Sequence, residues 1–293
     1  RHREPATEPH DTQPVSAGFI WHSTADVLPL RKTPSGMKHP LRTLLLAVCC
    51  GLAAACTQRQ ERLKLMSYNI RNGIGIDNIQ DIGRIARVIL REAPDLVALQ
   101  ELDSATLRVD GRYIPGELGR MTGMHATFGR AIGFAGGSYG VGLLSRTEPL
   151  AVRSIPLPGR EEARVLLMAE FPDYTVCVTH LSLTPEDRLA SLPIIREATD
   201  TCRKPVLLAG DFNTGDAAAV LAGLGGGFRT LSDTTRMTFP SDNPAVRIDY
   251  ILGRGLPTSA TVAESAVDHT AAASDHCPLW VTLAWERGKQ PGK

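Results

Sequence analysis

Five times along this chain a short apolar run carries, at or just past its end, a residue able to hold a proton or a metal ion. Asn69 falls in LKLMSYNI (63–70), Glu101 closes LVALQE (96–101) and His180 sits in YTVCVTHL (174–181). Asp211, with Asn213 two residues on, belongs to PVLLAGDF (205–212), and Asp249 to RIDYIL (247–252). Apolar runs this short, bounded by turn residues, read as buried strands. One acid at a strand end is most simply a turn residue. Five such placements point instead to strand ends converging on one rim, which is how α/β folds assemble their sites.

The connecting segments agree with that frame. Asp81 is placed to cap a helix running to Arg91, because Ile82, Ile85, Ala86 and Ile89 recur at helical spacing. Ala93-Pro94-Asp95 stops it. Further strands are predicted at VGLLS (141–145), RVLLMAEF (164–171) and PLWVTLAW (278–285), with a helix from Asp187 to Ala198. Strands and helices interleave early, whereas later strands follow one another through loops. The pattern predicts an α/β (α+β) chain with strands stacked in two sheets and helices outside. No internal repeat, long linker or low-complexity tail interrupts it.

The first 56 residues have a different character. Residues 1–36 are rich in Pro, Thr and His without hydrophobic periodicity, and read as a non-native or disordered leader. From Met37, a basic stretch (Lys38, His39, Arg42) precedes the apolar run Leu44–Ala55 and the small residues before Cys56. Those are the parts of a secretory signal, and the run is too short to span a bilayer, which takes roughly 20 residues. The Ala-Ala-Ala-Cys ending resembles a bacterial lipoprotein signal with Cys56 as lipid anchor. Ala53 departs from the usual Leu, and ordinary cleavage nearby is the alternative. The expectation is an exported, cell-envelope protein, reaching the membrane through its anchor, with one folded domain over 62–286.

Charge and cysteines narrow the function classes. Residues 1–56 hold six Lys/Arg and four Asp/Glu, so of 32 basic and 31 acidic residues the remainder keeps 26 and 27, a net charge of −1. A protein that grips long nucleic acid ordinarily shows a basic excess, so nucleic acid is possible but not favoured as a partner. Six cysteines, at 49, 50, 56, 177, 202 and 277, show no CxxC spacing, which argues against a zinc cluster. Cys177 and Cys202 are read as buried thiols rather than a pair.

The residues at the strand ends suit phosphate-ester hydrolysis, which needs charge neutralisation, an activated water and help for the leaving oxygen. Glu101 backed by Asn69 fits a hard cation such as Mg²⁺ or Mn²⁺. Asp275-His276 sets an acid beside an imidazole, and Asp249 can hold that imidazole in one tautomer as a general base. Asp211 and Asn213 can position water and a phosphoryl oxygen, with His180 as a second imidazole.

In order, SYNIRNG, LQELD, VTHL, GDFN, RIDYIL and SDHCPLW resemble the endonuclease/exonuclease/phosphatase superfamily, the DNase I-like fold, across about residues 63–285. That resemblance implies a four-layered sandwich of two mixed sheets flanked by helices. It implies Glu101 as main metal ligand with Asn69 as its partner, His276 as base and Asp249 as its orienting acid. Asp275 becomes an additional metal-side or phosphate-side acid, Asp211 and Asn213 the water- and phosphate-positioning pair, and His180 the second catalytic histidine. The THL segment resembles DNase I, bacterial sphingomyelinases and inositol polyphosphate 5-phosphatases rather than abasic-site enzymes.

The expected activity is hydrolysis of a phosphodiester or phosphomonoester by a monomer acting on a small phosphorylated substrate or a phospholipid. Alternatives are a nuclease, a sphingomyelinase-type phospholipid hydrolase, or an inactive lipid-tethered binding module. Arg71, Arg164 and Tyr139 are weaker candidates for contacting phosphate, each arginine serving equally well in a surface ion pair. GFAGGSYGVG (133–142) lacks the Lys and Ser/Thr of a P-loop and reads as a turn. His125 and His269 read as structural or exposed, and Arg188 as a solvated charge.

Overall fold

The computed structural model describes residues 60–270 and 272–286. The leader, the signal segment and Cys56 lie outside the described residues. The central strands of the first sheet alternate between two apolar clusters. In β1 (Gln60–Asn69), Leu63 and Leu65 point into one apolar cluster while Met66 and Tyr68 point into another. In β2 (Leu96–Ser104), Leu96 and Ala98 face the first and Val97 and Leu99 the second. Both faces of these strands are therefore buried, and this is why they read as continuous apolar runs rather than alternating ones.

The first sheet runs β11 (Thr261–Val267), β12 (Leu279–Glu286), β1, β2, β4 (Gly137–Ser145), β3 (His125–Phe134). The second runs β5 (Ala151–Leu157), β6 (Arg164–Glu170), β7 (Thr175–His180), β8 (Val206–Asp211), β10 (Asp249–Arg254), β9 (Arg229–Thr230). The inner faces meet in one cluster that joins Leu65, Ala98 and Leu143 to Leu167, Val178, Leu207 and Ile251. Helices α1 (Ile82–Glu92) and α2 (Ile114–Thr122) cover the first sheet, bringing Ile85, Ile89 and Leu118 onto Tyr68 and Leu99. Helices α3 (Pro185–Asp200) and α4 (Ala217–Leu224) cover the second through Leu192, Ile195 and Val220. The four-layered sandwich expected from the sequence is the fold observed.

Local expectations meet the structure unevenly. Asp81 caps α1, its side chain accepting the Arg84 backbone N–H at 3.2 Å. The 187–198 helix begins two residues earlier, at Pro185, and runs to Asp200. Strand β2 does not stop at Glu101 but continues to Ser104. Helix α2, helix α4 and the strands β3, β5, β9 and β11 have no counterpart among the elements expected from the sequence. The edge strands β5 and β11 are largely exposed, so they lack the apolar runs that marked the central strands. Among the described residues no helix is long and apolar enough to cross a membrane.

Candidate active site

Parallel pairing brings the strand ends together. In the second sheet β7 pairs parallel to β8 with His180 opposite Asp211, and β10 runs antiparallel on the other side with Asp249 opposite Asp211. In the first sheet β1 pairs parallel to β2 with Asn69 opposite Gln100. Gly210 allows the close approach beside Asp211, since a Cβ there would stand 2.0 Å from the Thr179 carbonyl oxygen. Glu101 is placed by a different device. The β2–β4 register skips between Leu99 and Leu102, and Glu101 sits in that bulge at φ +56°. A bulge redirects a side chain, and a left-handed glutamate is a conformation that function rather than propensity retains.

Asn69 is the hub. Its Nδ2 donates to Glu101 Oε1 at 3.0 Å and to Asp211 Oδ2 at 3.1 Å, and lies 3.5 Å from His276 Nε2. Its Oδ1 accepts the Arg71 backbone N–H at 3.1 Å. In this arrangement the amide acts as donor to the acids. His276 Nδ1 meets Asp249 Oδ2 at 3.0 Å, and Asp211 Oδ2 is 3.7 Å from His276 Nε2 and 3.5 Å from His180 Nε2. Asn213, itself left-handed, donates its backbone N–H to Asp211 Oδ1 at 2.9 Å and its Nδ2 to the Leu181 carbonyl at 2.8 Å.

The segment carrying Asp275 and His276 is fastened from below. Ser274 Oγ donates to the Asn69 carbonyl at 2.7 Å and accepts the His276 N–H at 3.3 Å. Thr238 Oγ1 accepts the Asp249 N–H, and the Phe239 ring packs on the His276 imidazole with centroids 4.8 Å apart. Sequence reading missed Ser274, Thr238 and Phe239. The serine of SDH and the TFP segment before RIDYIL were the available signals.

Burial and charge set the proton affinities. Burial of Glu101 raises its carboxyl pKa, against the Asn69 hydrogen bond and with the nearby Asp275 and Asp211 charges adding to it. Burial, then Asp249, raises Asp211. Burial lowers His180 to about 4, so it is neutral near pH 7. Burial also opposes a charged His276, but the charge and hydrogen bond of Asp249, with Asp211 and Asp275 behind, outweigh it and lift the imidazole to about 10. One environment thus holds two histidines in opposite states.

Four acids crowd this rim, and the oxygen-rich set fits a hard cation. Among the described residues, ligand atoms of Asp211, Asp249 and His276 lie within 4.8 Å of one another. The Asp249–His276 hydrogen bond occupies one atom of each, whereas the buried Asp249 Oδ1 has no partner at all. Such an orphaned oxygen is what a water molecule would satisfy, whereas a cation fits at Glu101, whose burial beside the charges of Asp275 and Asp211 leaves its own charge uncompensated.

The weaker sequence candidates divide. Arg71 pairs with Asp275 at 3.5 Å, at the site but in an ion pair. Arg164 is buried, paired with Glu161 at 3.3 Å and Glu162 at 3.1 Å, and its Nε lacks a partner. With Tyr139, Glu162 and His180 it lines a small cleft beside the second histidine. The glycine-rich stretch forms the β3–β4 hairpin, as a turn reading required. His125 is exposed on β3, and His269 meets the Met237 carbonyl at 3.0 Å. Arg188 is not simply solvated, because its Nη1 donates to the Ser182 carbonyl at 3.1 Å and the Leu183 carbonyl at 2.6 Å.

Residues 66–276 match the family model described as "Endonuclease/Exonuclease/phosphatase family". The chain belongs to this family. This endonuclease/exonuclease/phosphatase chain is thereby placed among hydrolases of phosphoric esters. It finds no match among curated proteins. Solved structures share its fold. A family protein from Bacteroides thetaiotaomicron superposes at TM-score 0.64 with 19% identity, over 78% of this chain and 100% of that one. A mannosyl-6-phosphatase of the same organism gives 0.61 and 18%, over 75% and 99%. D. rerio TDP2 complexed with single strand DNA product gives 0.58 and 22%, over 76% and 99%.

Proposed function

We propose that the chain is a divalent-metal-dependent phosphoesterase that hydrolyses a phosphodiester or phosphomonoester by attack of water activated at His276. The observation that carries this reading is the convergence on Asn69, whose single amide nitrogen reaches Glu101, Asp211 and His276. Glu101 and Asp275 would hold Mg²⁺ or Mn²⁺ with Asn69 bracing them. The cation would neutralise phosphoryl oxygens and offset the acids that keep His276 protonated.

The residues of the chain supply the remainder. Asp249 fixes the Nδ1 proton of His276, leaving Nε2 facing the rim to take a proton from water. Asp211, between the two imidazoles, orients that water. Neutral His180 donates a hydrogen bond to a phosphoryl oxygen, and Arg164 and Tyr139 beside it provide charge and a hydroxyl.

Neighbours of this fold include one named a mannosyl-6-phosphatase and one bound to single-strand DNA product. The lack of a basic excess favours a small ester over a polymer. Its first 56 residues support the reading that the protein is exported and tethered by lipid at Cys56 in the cell envelope, and within this proposal it acts as a monomer. Metabolic labelling with a radiolabelled fatty acid, lost in Cys56→Ser, tests the tether.

The test of activity is a screen across a phosphodiester, phosphomonoesters, a phospholipid, an inositol phosphate and DNA. Turnover should require Mg²⁺ or Mn²⁺, cease on chelation and vanish in folded His276→Ala. Full turnover in that variant refutes the assignment. Ligand binding without chelator-sensitive hydrolysis would identify a binding module instead.

A further inference from the structure

Exposed apolar side chains are not spread evenly over this molecule. Among the described residues thirteen large apolar side chains are exposed, and eight of them (Ile76, Ile79, Leu107, Tyr113, Phe134, Leu183, Met237 and Val246) lie on loops or strand tips at the end that carries the site. This end is defined by the C-terminal ends of β1, β2, β7 and β8 and the N-terminal ends of β4 and β10. Scattered apolar exposure is normal, whereas concentration around one mouth marks a contact surface.

The apolar groups stand in two banks. On one, Leu107 (76% exposed) donates its backbone N–H to the Ala135 carbonyl at the β3–β4 turn, next to Phe134. Arg108 lies over the Phe134 ring at 4.6 Å and is anchored to Asp103 and Asn72. On the other, Ile76 donates its backbone N–H to the Ala272 carbonyl, Met237 meets His269, and Val246 bonds the backbone of Phe239, whose ring rests on His276. Leu183 (64% exposed) follows His180 by three residues, held outward because Glu161 and Arg188 grip its backbone. Backbone hydrogen bonds on both banks fix these side chains toward solvent.

We infer that this apolar collar binds the hydrocarbon or aryl body of the substrate, which makes the natural ester an amphiphile met as a dissolved molecule. The inference rests on the phosphoesterase reading and deepens it. A phosphate at the Asn69–His276 hub leaves its ester substituents at the mouth, where Leu107, Phe134, Leu183 and Met237 offer apolar surface and Arg108 a cation. A purely polar sugar or inositol phosphate could use Arg108 but would bury no hydrocarbon of its own against the apolar groups.

The test uses 4-nitrophenyl n-alkyl phosphates and n-alkyl monophosphates from methyl to hexyl, all below their critical micelle concentrations, with the intact protein and Mg²⁺ or Mn²⁺. Complete burial of a methylene is worth roughly fourfold in affinity, so an open collar should raise kcat/KM by about twofold per methylene. The hexyl-to-methyl ratio should fall in Leu107→Ser and Leu183→Ser and stay at the wild-type value in Leu150→Ser, at the opposite end. Equal kcat/KM along the series overturns the inference while leaving the phosphoesterase standing. A rise only above micelle formation also overturns it and assigns the collar to a membrane surface. Failure to turn over any homologue while another ester of the screen is hydrolysed overturns the collar alone, and failure on every ester of the screen refutes the phosphoesterase reading with it.

Discussion

Asp249 Oδ2 lies 3.0 Å from His276 Nδ1, with both side chains almost wholly buried, so the carboxylate fixes the imidazole's orientation. Asp249→Asn should cut kcat by roughly 10²–10⁴-fold, because the amide no longer fixes the tautomer. In ion-free protein NMR titration should find His276 well below its value of about 10 once Asp249 is an amide. A raised imidazole pKa stabilises the fold fully below the ordinary 6.5, and that stability fades as pH climbs through about 10. Denaturant melts of the ion-free protein across that window should show the decline in wild type and little of it in Asp249→Asn.

Glu101 occupies a left-handed conformation at φ +56° that glycine adopts without cost. Glu101→Gly should therefore stay within about 1 kcal/mol of wild type in denaturant melts, because relief of the left-handed backbone offsets the freer unfolded chain and the lost Asn69 hydrogen bond, yet lose turnover. Calorimetry should show divalent-cation affinity reduced as well. A loss of several kcal/mol would mean that the carboxylate chiefly holds the bulge.

Glu161 ties the loop after His180 to the start of β6. It accepts Ser182 Oγ at 2.7 Å, the Leu183 N–H at 2.7 Å and Arg164 Nη2 at 3.3 Å. Burial opposes the shift, but the Ser182 and backbone hydrogen bonds outweigh it and hold the carboxyl at about 2. A lowered carboxyl pKa gives stability that is complete above the ordinary 4.5 and is lost as pH falls toward 2. Glu161→Gln should flatten acid unfolding in that range, followed by circular dichroism.

Gly210→Ala should separate β7 from β8, because the new Cβ meets the Thr179 carbonyl oxygen and carbon at 2.0 and 3.0 Å. A loss of about 1–3 kcal/mol is expected, with turnover falling more than stability since His180 and Asp211 flank the contact. Unaltered kcat would show that their spacing is not critical.

The central strands and their terminal residues were legible because burial on both faces leaves an unbroken apolar run, and Asp81 was legible as a cap by its spacing to Ile82 and Ile85. The edge strands β5 and β11 were not, because an exposed face dilutes the pattern in AVRSIPL and TVAESAV. Helix α2 opens on Ile-Pro-Gly, which reads as a turn until Leu118 is packed beneath it. Glu101 was found as a residue but misplaced as a strand terminus. A bulge depends on the partner strand, here the skip opposite β4, and no single segment encodes that. The contacts of Ser274, Thr238 and Phe239 join positions far apart in the chain, and only the fold brings them together.

Strand β1 works as a spacer. It places Asn69 in the mouth and Gln60 at the opposite pole, roughly 30 Å away at the usual rise per residue. A fluorophore carried at position 60 would therefore report on the fold without touching the mouth.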